Sequence, residues 1–255
     1  MKVEKVLEKI STQGVFSLMS EDFAGRQMTI AEVEAIFKEF DSFWMYQGDP
    51  SSERPHALLK SGLHSNGFIN CRAVLDYPVF CMLFAQEMLK IIEATLASNA
   101  LRQIDGIACS AYSALDLGFC LSWLFSQKYK KRIRHIIVEK DKDGNPTIIR
   151  GGLNITLTIL VINELMTTAA GSIQETKDAV LYCNGKDDGP FVFETSFVLM
   201  HRSSDFNLAD GSLVQPVFHF DIENFEPDQC PYCQAGSQAI KPKHGNNWQL
   251  LHGLA

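Results

Sequence analysis

Apolar positions first recur at helical spacing. Val3, Val6, Leu7 and Ile10 share one face, and Val33, Ile36, Phe37 and Phe40 share another. Thr29 followed by Glu32 is a capping-box signal ahead of the second stretch, so residues 1–50 read as a helical extension. Residues 47–55 gather Gly, two Pro and two Ser, and predict a linker. Beyond it, strand and helix patterns alternate. Residues 77–98 predict a long helix, 104–109 a short apolar strand, 113–125 a helix and 133–138 a strand. Residues 157–162 form a continuous apolar run of strand length, 171–181 predict a helix, and 197–200 and 213–220 predict two further strands. Strands alternating with helices of ten or more residues imply an α/β domain whose mostly parallel, twisted sheet is covered on both faces. Ligands are then expected at the carboxyl ends of those strands. The predicted segments are the extension at 1–50, the α/β domain at 51–225 and a tail at 226–255.

Composition narrows the partners. The chain of 255 residues is 46% hydrophobic and 21% charged, enough for one sizeable core. Its net charge of −7 argues against a nucleic-acid or acidic-membrane surface, either of which favours a basic face. The one basic cluster, Lys128, Lys130, Lys131, Arg132 and Arg134, reads as the solvated end of a helix or as an attraction for phosphates. No window reaches the ~20 apolar residues of a membrane span, and the first residues lack a signal-peptide pattern. A cytoplasmic protein is expected. Seven cysteines, an odd number scattered through apolar segments, read as reduced and mostly buried thiols.

Residues 159–172, ILVINELMTTAAGS, carry the most chemistry. A buried strand is followed by small and hydroxylated residues at the start of a helix, where unpaired N–H groups and the dipole favour an anion. Thr167, Thr168 and Ser172 add hydroxyl donors, while Ala169, Ala170 and Gly171 permit close approach to the backbone. Asn163 and Glu164 at the strand end suit sugar hydroxyls or a hard cation. The combination fits a ribose 5-phosphate.

This segment resembles the phosphoribosyl pyrophosphate (PRPP) motif of type I phosphoribosyltransferases, with four apolar residues, an acidic pair, two apolar residues and a Thr- and Gly-rich loop. Asn163 stands at the first acidic position, and the loop is one residue longer than usual with Ala for a customary Gly. Three further segments follow the order found in orotate phosphoribosyltransferases. Residues 59–70, LKSGLHSNGFIN, are similar to the amino-terminal hood motif, which implies that Lys60 reaches PRPP and Phe68 stacks on the pyrimidine. Without the resemblance they read as a polar hairpin with Phe68 as a core anchor. Residues 104–117 resemble the strand and turn that hold pyrophosphate, with Ser110, Ala111 and Tyr112 as backbone donors. Residues 138–152 lie where the family has a mobile catalytic loop, which makes Lys140 and Lys142 the stabilisers of the departing pyrophosphate. An exposed hairpin turning at 143–146 is the alternative.

The resemblance implies a type I phosphoribosyltransferase fold with a small hood, a homodimer with shared active sites, and Mg²⁺ held mainly by PRPP itself. It implies transfer of ribose 5-phosphate from PRPP to orotate or a related base, with Lys140, Lys142 and Glu164 as the catalytic set. Gln174 stands where orotate enzymes place an Arg for the base carboxylate, which implies that its amide binds the base by hydrogen bonds without the charge-assisted bidentate contact of Arg. The departures also fit a module that binds PRPP or a nucleotide with reduced catalysis, and an unrelated nucleotide-binding α/β protein is a third reading. In the tail, Cys230-Pro231-Tyr232-Cys233 lacks the second CxxC or close His pair that a zinc site of about four ligands requires. His244 and His252 are loosely placed, so the sequence leaves metal binding by Cys230 and Cys233 open and assigns no ligand set.

Overall fold

The computed structural model describes residues 1–148, 152–167, 171–185 and 188–253. The chain opens with α1 (Val3–Gln13), α2 (Ile30–Glu39), β1 (Phe43–Met45), β2 (His56–Leu58), β3 (His64–Ser65) and β4 (Gly67–Ile69). Next come α3 (Cys71–Leu75), α4 (Pro78–Thr95), α5 (Ser98–Gln103), β5 (Gly106–Ser110), α6 (Leu115–Tyr129), β6 (Arg134–Lys140) and β7 (Pro146–Thr147). They are followed by β8 (Thr158–Met166), α7 (Gly171–Leu181), β9 (Phe191–Val192), β10 (Ser196–His201) and β11 (Val214–His219). The tail holds β12 (Asn224–Phe225), α8 (Pro231–Gln234), β13 (Ala239–Ile240) and α9 (Asn247–Leu251).

The predicted capping box starts α2: Thr29 N–H donates to the Glu32 carboxylate at 2.8 Å, and Glu32 N–H donates to Thr29 Oγ1 at 3.4 Å. The helix buries Val33, Ile36 and Phe37, with the Phe37 ring 5.6 Å from Phe84 of α4. Two polar residues of α4 fasten the extension further. Glu87 accepts from Met28 N–H at 2.7 Å, and Lys90 Nζ donates to the carbonyls of Phe23 and Arg26 at 3.0 and 2.6 Å. The first helices therefore share the core of the main domain.

The large sheet runs β11-β10-β8-β5-β6-β7, with β9 also paired to β8. Every pairing in it is parallel except β6 with β7. Alternation along the strands explains its two covered faces. Ile107, Leu160, Ile162 and Leu199 join the core beneath α4 and α6, while Ala108, Ile159, Val161 and Val198 join the core under α7. Gly118 lets α6 approach closely, since a Cβ there would fall 2.7 Å from Cys109 Sγ. In contrast to the predicted end at 162, β8 continues to Met166 because β10 runs alongside, pairing Val198 with Asn163 and Met200 with Leu165. Asn163 and Glu164 thus lie within a strand instead of in the loop after it.

α7 begins and ends as predicted and is pinned by a buried lysine. Lys177 Nζ donates to Asp210 Oδ2 at 2.7 Å and to Ser212 Oγ at 2.6 Å. Burial raises the Asp210 carboxyl, but the Lys177 and Ser212 hydrogen bonds outweigh it and hold the pKa down to about 2. The pair's contribution is complete above the unfolded value of about 3.9 and is lost as pH falls toward the folded value. Urea unfolding midpoints should therefore separate wild type from Asp210→Asn at pH 5 and converge near pH 2. A constant gap across that range contradicts the assignment.

A second sheet of four short strands, β12-β3-β2-β13, forms the hood. β2 and β3 make an antiparallel hairpin around the turn at 59–63, and β13 from the tail pairs parallel with β2. Trp44 Nε1–H donates to Leu251 O at 2.8 Å, which ties the last helix to β1. No helix among the described residues is long and apolar enough to cross a membrane.

Candidate active site

The strands β5, β6, β8 and β10 end side by side, and their carboxyl ends bring together residues far apart in sequence. Asn163, fully buried on β8, is the hub. Its Oδ1 accepts from Ser110 Oγ at 3.0 Å and from Glu164 N–H at 2.9 Å, and its Nδ2 donates to Ser172 Oγ at 2.6 Å. The amide thus links the end of β5 to the first turn of α7. A carboxylate could accept at both ends but could not donate to Ser172. The neutral residue at this position therefore has a structural use, and its side chain is consumed by protein.

Glu164 is different. Its Oε2 is buried with no partner among the described residues. Burial pushes its carboxyl above the ordinary range, opposed by the Glu164 and Leu165 N–H groups, the Ser113 hydroxyl and the Arg72 charge. Arg202, just past β10, is a matching case of opposite sign. Its Nε and Nη1 are buried without a partner among the described residues, and burial lowers its pKa. Cys71 lies between them: its Sγ is 3.6 Å from Glu164 O, and Arg202 and Lys243 both act on it electrostatically. Sequence reasoning missed Arg202. Its only signal is an arginine directly after the apolar run of β10.

On the pyrophosphate side, the turn after β5 differs from expectation. Ala111 N–H already donates to Val138 O at 2.8 Å, because β6 extends beside it, and so it is not an open donor. Tyr112 N–H has no partner among the described residues, and the Tyr112 ring is exposed. Ser110 instead offers its hydroxyl to Asn163. Lys140 ends β6 and reaches α7 through a loose pair with Glu175 at 3.4 Å. Lys142 is exposed on the hairpin turn, where Asp141 accepts from the N–H groups of Asp143 and Asn145 at 2.9 Å. That carboxylate is a turn cap, and the backbone N–H groups that it accepts favour its charged form.

Of the phosphate loop, Thr168, Ala169 and Ala170 lie outside the described residues. Thr167 follows β8 directly, and Gly171 and Ser172 open α7. A Cβ at Gly171 would meet no atom of the described residues within 4 Å. Gln174 Nε2 donates along its own helix to Asp178 at 2.9 Å, and its Oε1 is buried without a partner among the described residues.

At the hood, Lys60 is exposed on the turn between β2 and β3 and has no described partner. Phe68, half-buried on β4, packs edge-on against Trp248 at 6.0 Å with Lys243 Nζ 5.8 Å from its ring centre. A cleft of about 340 Å³ lined by Asn70, Lys243 and Trp248 opens beside it. A larger one of about 470 Å³ lies among α2, β1 and the tail, away from the strand ends.

A mostly parallel sheet with helices on both faces, and a small second sheet built from residues 56–65 and the tail, define the type I phosphoribosyltransferase fold. The solved orotate phosphoribosyltransferase of Aeropyrum pernix superposes with a TM-score of 0.50 at 17% identity, covering 73% of this chain and 93% of that one. In sequence the chain is most like the orotate phosphoribosyltransferases. It is 26% identical over 215 residues to that of Acidithiobacillus ferrooxidans, covering 84% of this chain and 97% of the relative. It is 27% identical over 217 residues to that of Pelotomaculum thermopropionicum, with the same two coverages. No family model matches the chain.

Proposed function

We propose that the protein transfers ribose 5-phosphate from PRPP to orotate, releasing pyrophosphate, in the synthesis of pyrimidine nucleotides. The observation that carries this reading is the pair of ionisable groups at adjoining strand ends, Glu164 and Arg202, whose Oε2, Nε and Nη1 atoms are buried without a partner among the described residues. Thr167, Gly171 and Ser172 receive the 5-phosphate with the intervening loop residues. Glu164 accepts from the ribose hydroxyls, and the carboxylate also supports positive charge developing at the anomeric carbon. Lys60, Lys140 and the Tyr112 N–H meet the pyrophosphate, with Lys142 carried in on its hairpin. Arg202 replaces the arginine missing at Gln174 and pairs with the base carboxylate, while Phe68 borders the base.

The reaction forms one bond and breaks one. A ring nitrogen of orotate, its N–H proton passing to water, attacks the anomeric carbon, and the carbon–oxygen bond to pyrophosphate breaks, leaving the pair of electrons on pyrophosphate. The side chains mainly orient the reactants and stabilise charge. Mg²⁺ fits the donor set poorly as a protein-held ion, since Asn163 is consumed in hydrogen bonds and only Glu164 offers a free oxygen; bound to PRPP, it would neutralise the leaving group. A cytoplasmic homodimer accords with this reading. Tyr112, Phe119 and Trp123 expose an apolar face around α6 that a second copy would cover.

Pyrophosphate release from PRPP with Mg²⁺ should depend on orotate and should be absent with purine bases. Release with purines and none with orotate would reject the assigned base. Tight PRPP binding without release on any base would favour a binding module.

A further inference from the structure

Four side chains from opposite ends of the chain converge beneath the hood. His56 opens β2, His64 opens β3, and Cys230 and Cys233 flank the start of α8. His56 Nε2 lies 3.0 Å from His64 Nδ1, 3.4 Å from Cys230 Sγ and 3.6 Å from Cys233 Sγ. Cys233 Sγ lies 3.2 Å from His64 Nδ1, and all four atoms fall within 4.8 Å of one another. Tetrahedral bonds of ~2.3 Å to sulfur and ~2.0 Å to nitrogen place ligand atoms about 3.3–3.8 Å apart, so little movement is needed to enclose an ion. We propose that His56, His64, Cys230 and Cys233 form a Cys₂His₂ site for a structural zinc ion.

The surrounding hydrogen bonds point the same way. Ser237 Oγ donates to Arg54 O at 2.6 Å, so its lone pair accepts from His56 Nδ1–H at 2.8 Å. That arrangement fixes the tautomer and leaves the Nε2 lone pair directed at the sulfurs, as the outer partner of a metal-bound histidine does. The Tyr232 ring stacks on His56 at 5.3 Å and helps to close the site. Four protein ligands with no open position describe a structural ion, and mixed thiolate and imidazole donors favour zinc over magnesium or calcium.

The site also has mechanical sense. The hood sheet has strands of two or three residues, and the buried core beside it is only Trp44, Ala57, Ile240 and Leu251. So small a layer gains from a metal staple. His56 and His64 stand on either side of the turn bearing Lys60, so the ion would clamp both feet of that hairpin to the tail. The rival arrangement is a metal-free cluster in which His64 and the thiols donate to His56.

Elemental analysis of full-length protein purified without chelator should find about one zinc per chain. Exchange with Co²⁺ should give the visible bands of tetrahedral cobalt and thiolate-to-cobalt charge transfer. Cys233→Ser and His64→Gln should lose both, whereas Cys183→Ser, at a half-buried thiol elsewhere, should retain them. Should the two ligand variants fail to fold, the wild-type cobalt spectrum decides alone. Folded wild type that remains metal-free after incubation with Zn²⁺, or binds Co²⁺ octahedrally without a sulfur band, overturns the assignment. Metal retained at full stoichiometry by folded Cys233→Ser does so too. None of these readouts depends on turnover, so they stand apart from the proposed reaction.

Discussion

Glu164→Gln is expected to melt higher than wild type in the absence of ligand and to lose at least roughly 100-fold in turnover, the scale of removing one preorganised electrostatic contact. The two effects share one cause. A carboxylate oxygen buried without a partner costs stability, and an isosteric amide relieves the charge. The gain should be about 1 kcal/mol, or roughly 2–4 °C for a chain of this size. Its pH dependence has a definite sign. Because burial raises the Glu164 pKa, folding favours the protonated form, and stability is lost as pH rises through the raised value. The advantage of the glutamine should therefore vanish below about pH 4 and be complete above the raised value. A lower melting temperature for Glu164→Gln at neutral pH would show that the carboxylate serves the fold and not a ligand.

Arg202→Met is expected to raise the KM for the base roughly 10- to 100-fold, the worth of hydrogen bonds to a charged group, with little change in the KM for PRPP. Methionine retains most of the apolar stem and removes a buried charge whose Nε and Nη1 have no described partner. Stability should therefore hold or increase. Arg202 is assigned to the base because it acts electrostatically on Cys71, which opens α3 just after β4, the strand that carries Phe68. A rise in the KM for PRPP alone would place the guanidinium on a phosphate instead. Steady-state kinetics with each substrate varied in turn separates the two.

Local signals in the sequence proved reliable where the structure depends on local chemistry. The Thr29–Glu32 box caps α2, and α7 spans the residues its periodicity marks. The five central strands were visible as apolar runs, because strands buried on both faces need no alternation. Pairing determined the rest. β8 outlasts its apolar run because β10 lies beside it, and that extension puts Asn163 within the strand, where its amide ties Ser110 to Ser172. Strands of two or three residues such as β3, β12 and β13 carry too few positions for a period to show.

The site was legible as a set of segments and less so as a set of contacts. Nothing near Ala111 in sequence indicates that Val138 takes its N–H, and nothing near Gln174 shows that its amide turns to Asp178. Arg202 stands outside every motif. The companions of the tail's cysteine pair are distant in sequence: His56 precedes Cys230 by 174 residues, and the hood hairpin carries both histidines to it. The available signal was the spacing of two histidines on either side of a seven-residue turn segment, which names no chemistry until the tail folds back.

The proposed reaction forms a bond between orotate and the anomeric carbon of PRPP. Its most direct test is mass analysis of the products after full-length protein is incubated with PRPP, Mg²⁺ and orotate. The account predicts orotidine 5′-monophosphate and pyrophosphate in equal amounts, with neither formed by Glu164→Gln at a comparable rate. Pyrophosphate with ribose 5-phosphate and no nucleotide, or unchanged PRPP, would contradict it.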